Sequence, residues 1–277
     1  MDSLAKELAT RCPIIYQNMI KHIEPNSRDL FLLEQTILLL DQGEVRVCSP
    51  QPDGNWQLNE WAKQAIIAHI HFKQPDDMDD YKVPYRDHTP YKYTKTPIRP
   101  CTRIVPPSHI RLGAYIGKRC VIMPSFINIG AYIDDGTMID SFASVGSGAQ
   151  IGKNVHISAG SGIGGVLEPM QARPTIIEDN CFIGARSEIS EGMIIREGAV
   201  LASGMFISQS TRIYNRMTGE TSYGEIPANA VVVPGSVPGH TKDYHLDAAI
   251  IVKFADKQTR KKTSINTLLR PEVNDRE

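Results

Sequence analysis

An aliphatic residue recurs at every sixth position through the middle of this chain: Val121, Ile127, Ile133, Ile139, Val145, Ile151, Ile157 and Ile163. After an interruption the period resumes in a new phase at Ile177, Ile183, Ile189, Ile195, Leu201 and Ile207. Few folds accept such a rhythm. Alternate residues of a strand point to opposite faces, so a large residue at i and a small one at i−2 both point inward. The i−2 slot holds Ser125, Ala131, Thr137, Ala143, Ala149 and Ser161, then Thr175, Cys181, Ser187 and Ala199. A period of six describes a short strand plus a corner, and three such sides close a triangular coil. Coils stacked at about the 4.8 Å strand spacing make a parallel β-solenoid, for which hexapeptide repeats are a signature. The slot after the aliphatic holds Gly146, Gly152, Gly164 and Gly184, or Asn128, Asp134 and Asp140. These residue types tolerate a left-handed backbone, so this slot is expected to carry the turn.

The period begins near Arg103 with Ile104, Ile110, Ile116 and Ile122, one residue out of phase with the Val121 series. Thirteen residues separate Ile163 from Ile177, and a polar excursion spans Tyr214 to Glu225. Loops ejected from a solenoid carry function more often than its walls do.

The flanks differ in character. Residues 4–23 have a loose helical spacing broken by Pro13, and residues 28–41 predict a strong helix ending before Gly43. Strands are expected at Val45–Cys48 and Trp56–Leu58, around Pro52-Asp53-Gly54. Asn59 is positioned to cap a helix over 60–72. Residues 74–102, with Asp76, Asp77, Asp79, Asp80 and then four prolines, predict a linker or extended segment, the acids being a solvated loop or helix cap. A strand is expected over His245–Phe254 and a basic helix over 256–270. The division is therefore 1–102, a helical domain with hairpin and linker; 103–240, the solenoid; and 241–277, a strand–helix extension.

Net charge is −1, which gives no reason to expect nucleic acid or an anionic membrane surface as partner. Only 7% of residues are aromatic, in keeping with a thin core. Five scattered cysteines without a CxxC pair predict reduced thiols in a cytoplasmic protein. The N-terminus lacks the apolar core of a signal peptide, and no stretch is long and apolar enough to span a membrane.

Asp140 follows Ile139, and Glu188 precedes Ile189, so both point outward. From geometry alone Asp140 is equally readable as a functional carboxylate or as a corner Asp, the reading that suits Asp134. His156 also points outward, before Ile157. The strings INIGAYIDDGTMID (127–140), IGKNVHIS (151–158), GIGGVLEP (162–169) and TIIEDNCFIGARSE (175–188) closely resemble the tetrahydrodipicolinate N-succinyltransferases. So do RIVPP (103–107), STRIYNRMTGE (210–220) and IIVKFADKQTRKK, from about residue 30 to residue 270. The resemblance implies a left-handed β-helix, a homotrimer with active sites between subunits, and succinyl transfer from succinyl-CoA to the amine of 2-amino-6-oxopimelate, on the route to diaminopimelate and lysine, with no metal.

It also implies residue roles. The position of Asp140 contacts the substrate amine and is a candidate base. That of Glu188 is a second carboxylate for the role, although the interrupted period does not say whether it shares a groove with Asp140. That of Arg103 binds a substrate carboxylate, with Arg186 a second candidate. Lys257, Arg260, Lys261 and Lys262 read either as contacts to coenzyme A phosphates or as a solvated helix face. Ser187 fits the inner slot, and His156 a surface or interface position. Members of the family often carry Thr-Trp where this chain has Ser141-Phe142. Three rival readings are weighed. A zinc hexapeptide carbonic anhydrase needs a close His pair, whereas the regular coils offer only His109 and His156. A silent scaffold has no need of Arg103, Asp140 and Glu188 together. An acetyltransferase of the same architecture stays open, because acyl length is not legible in the residues.

Overall fold

The computed structural model describes residues 3–80, 83–94, 98–99, 101–241 and 243–255. Its centre is a three-walled parallel β-helix of hexapeptide repeats, left-handed as in that family. Two-residue strands stack in strict register. On wall 1, Ile104, Ile122, Ile139, Ile157, Ile183, Leu201 and Val232 form one column. Wall 2 carries Ile110, Ile127, Val145, Ile163, Ile189 and Ile207. Wall 3 carries Ile116, Ile133, Ile151, Ile177, Ile195 and Ile226. With the small residues of the i−2 slot they fill one continuous prism. Each fully buried aliphatic contributes about 1.5–3 kcal/mol.

The register corrects two expectations. The inner residue of the second coil is Ile122; Val121 pairs with Arg103 and Met138 on the outward-facing position. The phase slip is therefore a five-residue side between Ile122 and Ile127. The left-handed backbone sits three residues after the aliphatic, not one: Gly130, Gly136, Gly148, Asn154, Gly160 and Asn180 all have positive φ. The slot after the aliphatic has a different demand. At Gly184 an added Cβ would overlap the Ala202 carbonyl group and the Ser203 nitrogen of the next coil, so glycine is there for clearance. Where Asn128, Asp134 or Asp140 replaces it, the side-chain oxygen accepts the next backbone N–H, at 2.9, 2.8 and 2.7 Å.

Before the solenoid come three helices, α1 (Ser3–Ile20), α2 (Ser27–Gln42) and α3 (Glu60–Phe72). Pro13 lies inside α1 without ending it. Asn26 and Asp29 form a capping box on α2, and Gly43 closes it at φ 79°. Asn59 does not cap α3 through its side chain; that amide instead donates to the Arg46 carbonyl and to Ser49 Oγ. The first hairpin pairs Cys48–Pro50 with Trp56–Leu58, later than the Val45–Cys48 expected. This unit covers wall 3: Cys48, Trp56 and Leu58 pack on Ile176 and Ile194, and Val47 and Ile66 meet Leu112 and Ile129.

The segment expected to be a linker or extended, with its acids in a solvated loop or helix cap, is extended: Asp76–Asp80 pairs with Val83–Asp87 as an antiparallel hairpin, so the acids lie on a strand. Beyond this hairpin the chain is pinned to α2: Lys92 Nζ lies 2.7 Å from Asp41 Oδ2, both buried, and Asp41 Oδ1 accepts the Gly113 N–H. At the far end His245–Phe254 pairs antiparallel with Ala230–Pro238 and parallel with Arg212–Asn215, extending wall 1. The helix expected over 256–270 lies outside the described residues.

Candidate active site

The three corners of a coil project side chains along three edges of the prism. The edge between walls 1 and 2 gathers the chemistry. Asp140 leaves wall 1 on the third coil; its neighbours Ser141 and Phe142 make the corner, with Phe142 at φ 61° and 83% exposed. Arg186 occupies the same corner position two coils on, at φ 56°. The backbone bonds that stack this corner run from Gly160 N to Ser141 O and from Arg186 N to Ala159 O. Glu188 comes next on wall 2, in the outward column Ser144, Gly162, Glu188, Phe206. Asp140 and Glu188 thus lie along one edge, two coils or about 10 Å apart.

Two side chains close part of that gap. A Cβ built on Gly160 would lie 3.5 Å from Arg186 Cγ, and one built on Gly162 would lie 2.5 Å from the Glu188 carboxyl carbon. The Glu188 carboxylate therefore folds back from the fifth coil over the fourth, the side on which Asp140 lies, while Arg186 touches the fourth coil through its Cγ. Asp140 itself is half-buried, and its Oδ1 accepts the Ser141 N–H at 2.7 Å. Asp134 makes the same bond to Asp135. The local bond therefore does not distinguish the two residues. Their surroundings do: Asp134 lies against Arg46 beneath the helical domain, at 4.0 Å, whereas Asp140 lies on an open edge.

Other candidates are placed differently. Arg103 is exposed on wall 1 in the first coil, and within one chain it is not brought to Asp140. Ser187 is buried in the inner slot, donating from Oγ to the Gly184 carbonyl at 2.7 Å. His156 is 8% exposed on wall 1, with its ring stacked on Phe182 at 5.0 Å. His109 is on wall 2, with Nδ1 3.1 Å from the Tyr91 hydroxyl. Among the described residues no group of three or more His, Cys, Asp or Glu could hold a metal ion. Lys257, Arg260, Lys261 and Lys262 lie outside the described residues.

Sequence reasoning does not single out Lys63 or Gly162. Lys63, on α3, is fully buried, and its ammonium donates to the carbonyls of Pro169, Met170 and Ala172 at 2.9, 3.0 and 2.8 Å. It clasps the loop between Ile163 and Ile177. Burial pulls its pKa down from the ordinary lysine value. That loop borders a cavity of about 590 Å³ whose far side is Ser190, Glu191, Gly192 and Gln209. A polar residue on the apolar face of α3 was the available signal for Lys63. For Gly162 it was a glycine in an outward slot that elsewhere holds Phe126, Ser144, Glu188 and Phe206.

A rod of hexapeptide coils with carboxylates and an arginine on one edge defines an acyltransferase of the hexapeptide type. Residues 130–165 match the bacterial transferase hexapeptide model, and 174–209 match the hexapeptide repeat of succinyl-transferase. Residues 17–71 match the tetrahydrodipicolinate N-succinyltransferase N-terminal model. Curated proteins named 2,3,4,5-tetrahydropyridine-2,6-dicarboxylate N-succinyltransferase are similar over most of their length. The Acinetobacter baylyi protein is 51% identical across 86% of this chain and 88% of its own. The Polynucleobacter asymbioticus protein is 52% identical across 83% and 86%, and that of Sodalis glossinidius 48% across 90% and 91%. This chain belongs to the tetrahydrodipicolinate N-succinyltransferase family.

Proposed function

We propose that this protein transfers the succinyl group of succinyl-CoA to the amine of tetrahydrodipicolinate in its open form, 2-amino-6-oxopimelate, in diaminopimelate and lysine biosynthesis. Family membership supports the substrate pair. The observation that carries the site is that Asp140, Arg186 and Glu188 lie along one edge, with the Glu188 carboxylate folded over the coil between it and Asp140.

The chemistry sets the roles. An α-amino group has a pKa of roughly 8, so it arrives largely protonated and needs a proton acceptor before it attacks the thioester carbonyl. Asp140, with one oxygen held by Ser141 N–H, orients the amine and takes its proton. The nitrogen bonds to the carbonyl carbon, the tetrahedral oxyanion collapses with cleavage of the C–S bond, and the surplus proton of the nitrogen passes to the departing sulfur, so coenzyme A leaves as the thiol while Asp140 returns its proton to solvent. Glu188 is the second carboxylate of the groove and the alternative proton acceptor. Arg186 and Arg103 bind the two substrate carboxylates, as guanidinium groups do bidentately. Arg103 is two coils below Asp140 in register, about 10 Å along the axis. An extended dicarboxylate together with an arginine side chain bridges that offset when a neighbouring rod supplies one of the partners.

The assembly is a homotrimer with its active sites between subunits. Phe126, Phe142 and Phe206 support it: they are 41%, 83% and 72% exposed on wall 2 and its edge, an apolar surface that asks for cover. Wall 3 is already occupied by the helical domain. We assign Lys257 and Arg260 to the coenzyme A phosphates, on their basic run alone. The proposed reaction calls for no metal, and the net charge of −1 gives no reason to expect nucleic acid or an anionic membrane as partner; no described helix is long and apolar enough to cross a membrane. Five free cysteines support a reducing, cytoplasmic setting. Mass spectrometry of the product formed from succinyl-CoA and the amino-oxopimelate tests the reaction. A succinylated amine supports it, and no adduct, or an adduct only with acetyl-CoA, overturns it. A solution mass near three times 30.8 kDa is expected by light scattering, and a monomer would contradict the shared site.

A further inference from the structure

Gly162 has no conformational reason to be glycine. Its φ is outside the left-handed region where corner glycines such as Gly148 and Gly160 sit. The three atoms nearest an added Cβ all belong to the Glu188 carboxylate, whereas at Gly184 they belong to the backbone of the next coil. That Cβ would lie 2.5 Å from the carboxyl carbon and 2.6 Å from Oε1, and closer still to Oε2. The glycine is buried, and this carboxylate lies against it. Its register neighbours in the outward column carry side chains, Ser144 on one side and Glu188 on the other. The column is open to side chains in general, and the bare position faces the one acid.

We infer that Gly162 is a positioning residue: its missing side chain is the seat that lets the Glu188 carboxylate fold over the fourth coil toward Asp140. The inference rests on the proposed reading of Glu188 as part of the groove. Ordinary contact with a Cβ begins at 3.4 Å, so Gly162→Ala displaces the carboxyl carbon by about 1 Å from 2.5 Å. Misplacement of a reacting group by 1 Å costs on the order of 100-fold in rate. Because the nearest obstructing atoms end an exposed side chain, that side chain is the first to give way to the methyl. An alanine at an unstrained φ restricts the unfolded chain, so the melting temperature should hold or rise slightly.

The test is a double-mutant cycle on the full-length protein, reading kcat/KM for succinyl-CoA and amino-oxopimelate together with the melting temperature. Gly162→Ala is expected to lose about 100-fold with no fall in melting temperature, and to lose nothing further once Glu188→Ala is present. Glu188→Asp, whose shorter carboxylate cannot reach the seat, is expected to become insensitive to the methyl. Wild-type turnover in Gly162→Ala, or a loss that multiplies with that of Glu188→Ala, overturns the inference while leaving Glu188 in its role. Undiminished turnover in Glu188→Ala removes the role of Glu188 itself, and the inference with it.

Discussion

Lys63 offers a sharp test of how the helical domain and the solenoid are joined. Its ammonium is enclosed and makes three bonds to the carbonyls of Pro169, Met170 and Ala172. Lys63→Met keeps the length and apolar stem and removes the donor. A bond from a charged donor contributes about 1.5–3 kcal/mol. The three share one charge, and the carbonyls regain water when the loop lifts, so the net loss is closer to one bond, about 2 kcal/mol. That is roughly a 30-fold rise in the loop's opening equilibrium. The amides of Val166, Ala172 and Thr175, bonded to Ser147, Pro169 and Gly164 carbonyls, report it by hydrogen exchange. We predict exchange about 30-fold faster there, with the solenoid walls unchanged. Wild-type exchange at these three amides would refute the clasp.

The same geometry sets three further outcomes. Gly184→Ala, which drives a Cβ into the Ala202–Ser203 backbone, should destabilise the fold by about 1–3 kcal/mol in urea titration; an unchanged midpoint would contradict the clearance reading. Burial pushes the thiols of Cys48, Cys120 and Cys181 up to about 12, so they stay protonated well above the usual thiol range, and Cys12 is raised as well. Cys101 is exposed, so a disulfide reagent at pH 8 should titrate one fast thiol per folded chain and five after unfolding. More than one fast thiol would mean that the coils breathe. Arg186→Met should raise KM for the dicarboxylate by roughly tenfold or more while leaving KM for succinyl-CoA near its original value; equal effects on both would remove Arg186 from carboxylate binding.

The sixfold aliphatic spacing made the prism legible, because each inner slot has one size to fill. The phase at Val121 was misread because two adjacent aliphatics, Val121 and Ile122, both fit the period, and only pairing with Ile139 decides between them. The turn position was misread because glycine serves two needs here, clearance at Gly184 and left-handed φ at Gly160, and composition does not separate them. Asp140 and Glu188 were legible as outward carboxylates. Their common edge was not, since the loop after Ile163 hides how many coils lie between them. Lys63 and Gly162 owe their significance to neighbours 106 and 26 positions away in sequence, through the Pro169 carbonyl and the Glu188 carboxylate, and such partners are set only by the stacked coils.

The central claim is that the edge bearing Asp140 delivers a thioester to an amine. Coenzyme A release from succinyl-CoA with the amino-oxopimelate, compared between wild type and Asp140→Asn, tests it directly. Removing the proton acceptor while keeping the shape should lower kcat by about 100-fold or more with the solution mass unchanged. Equal rates in the two proteins, or no coenzyme A release from the wild type, would contradict it.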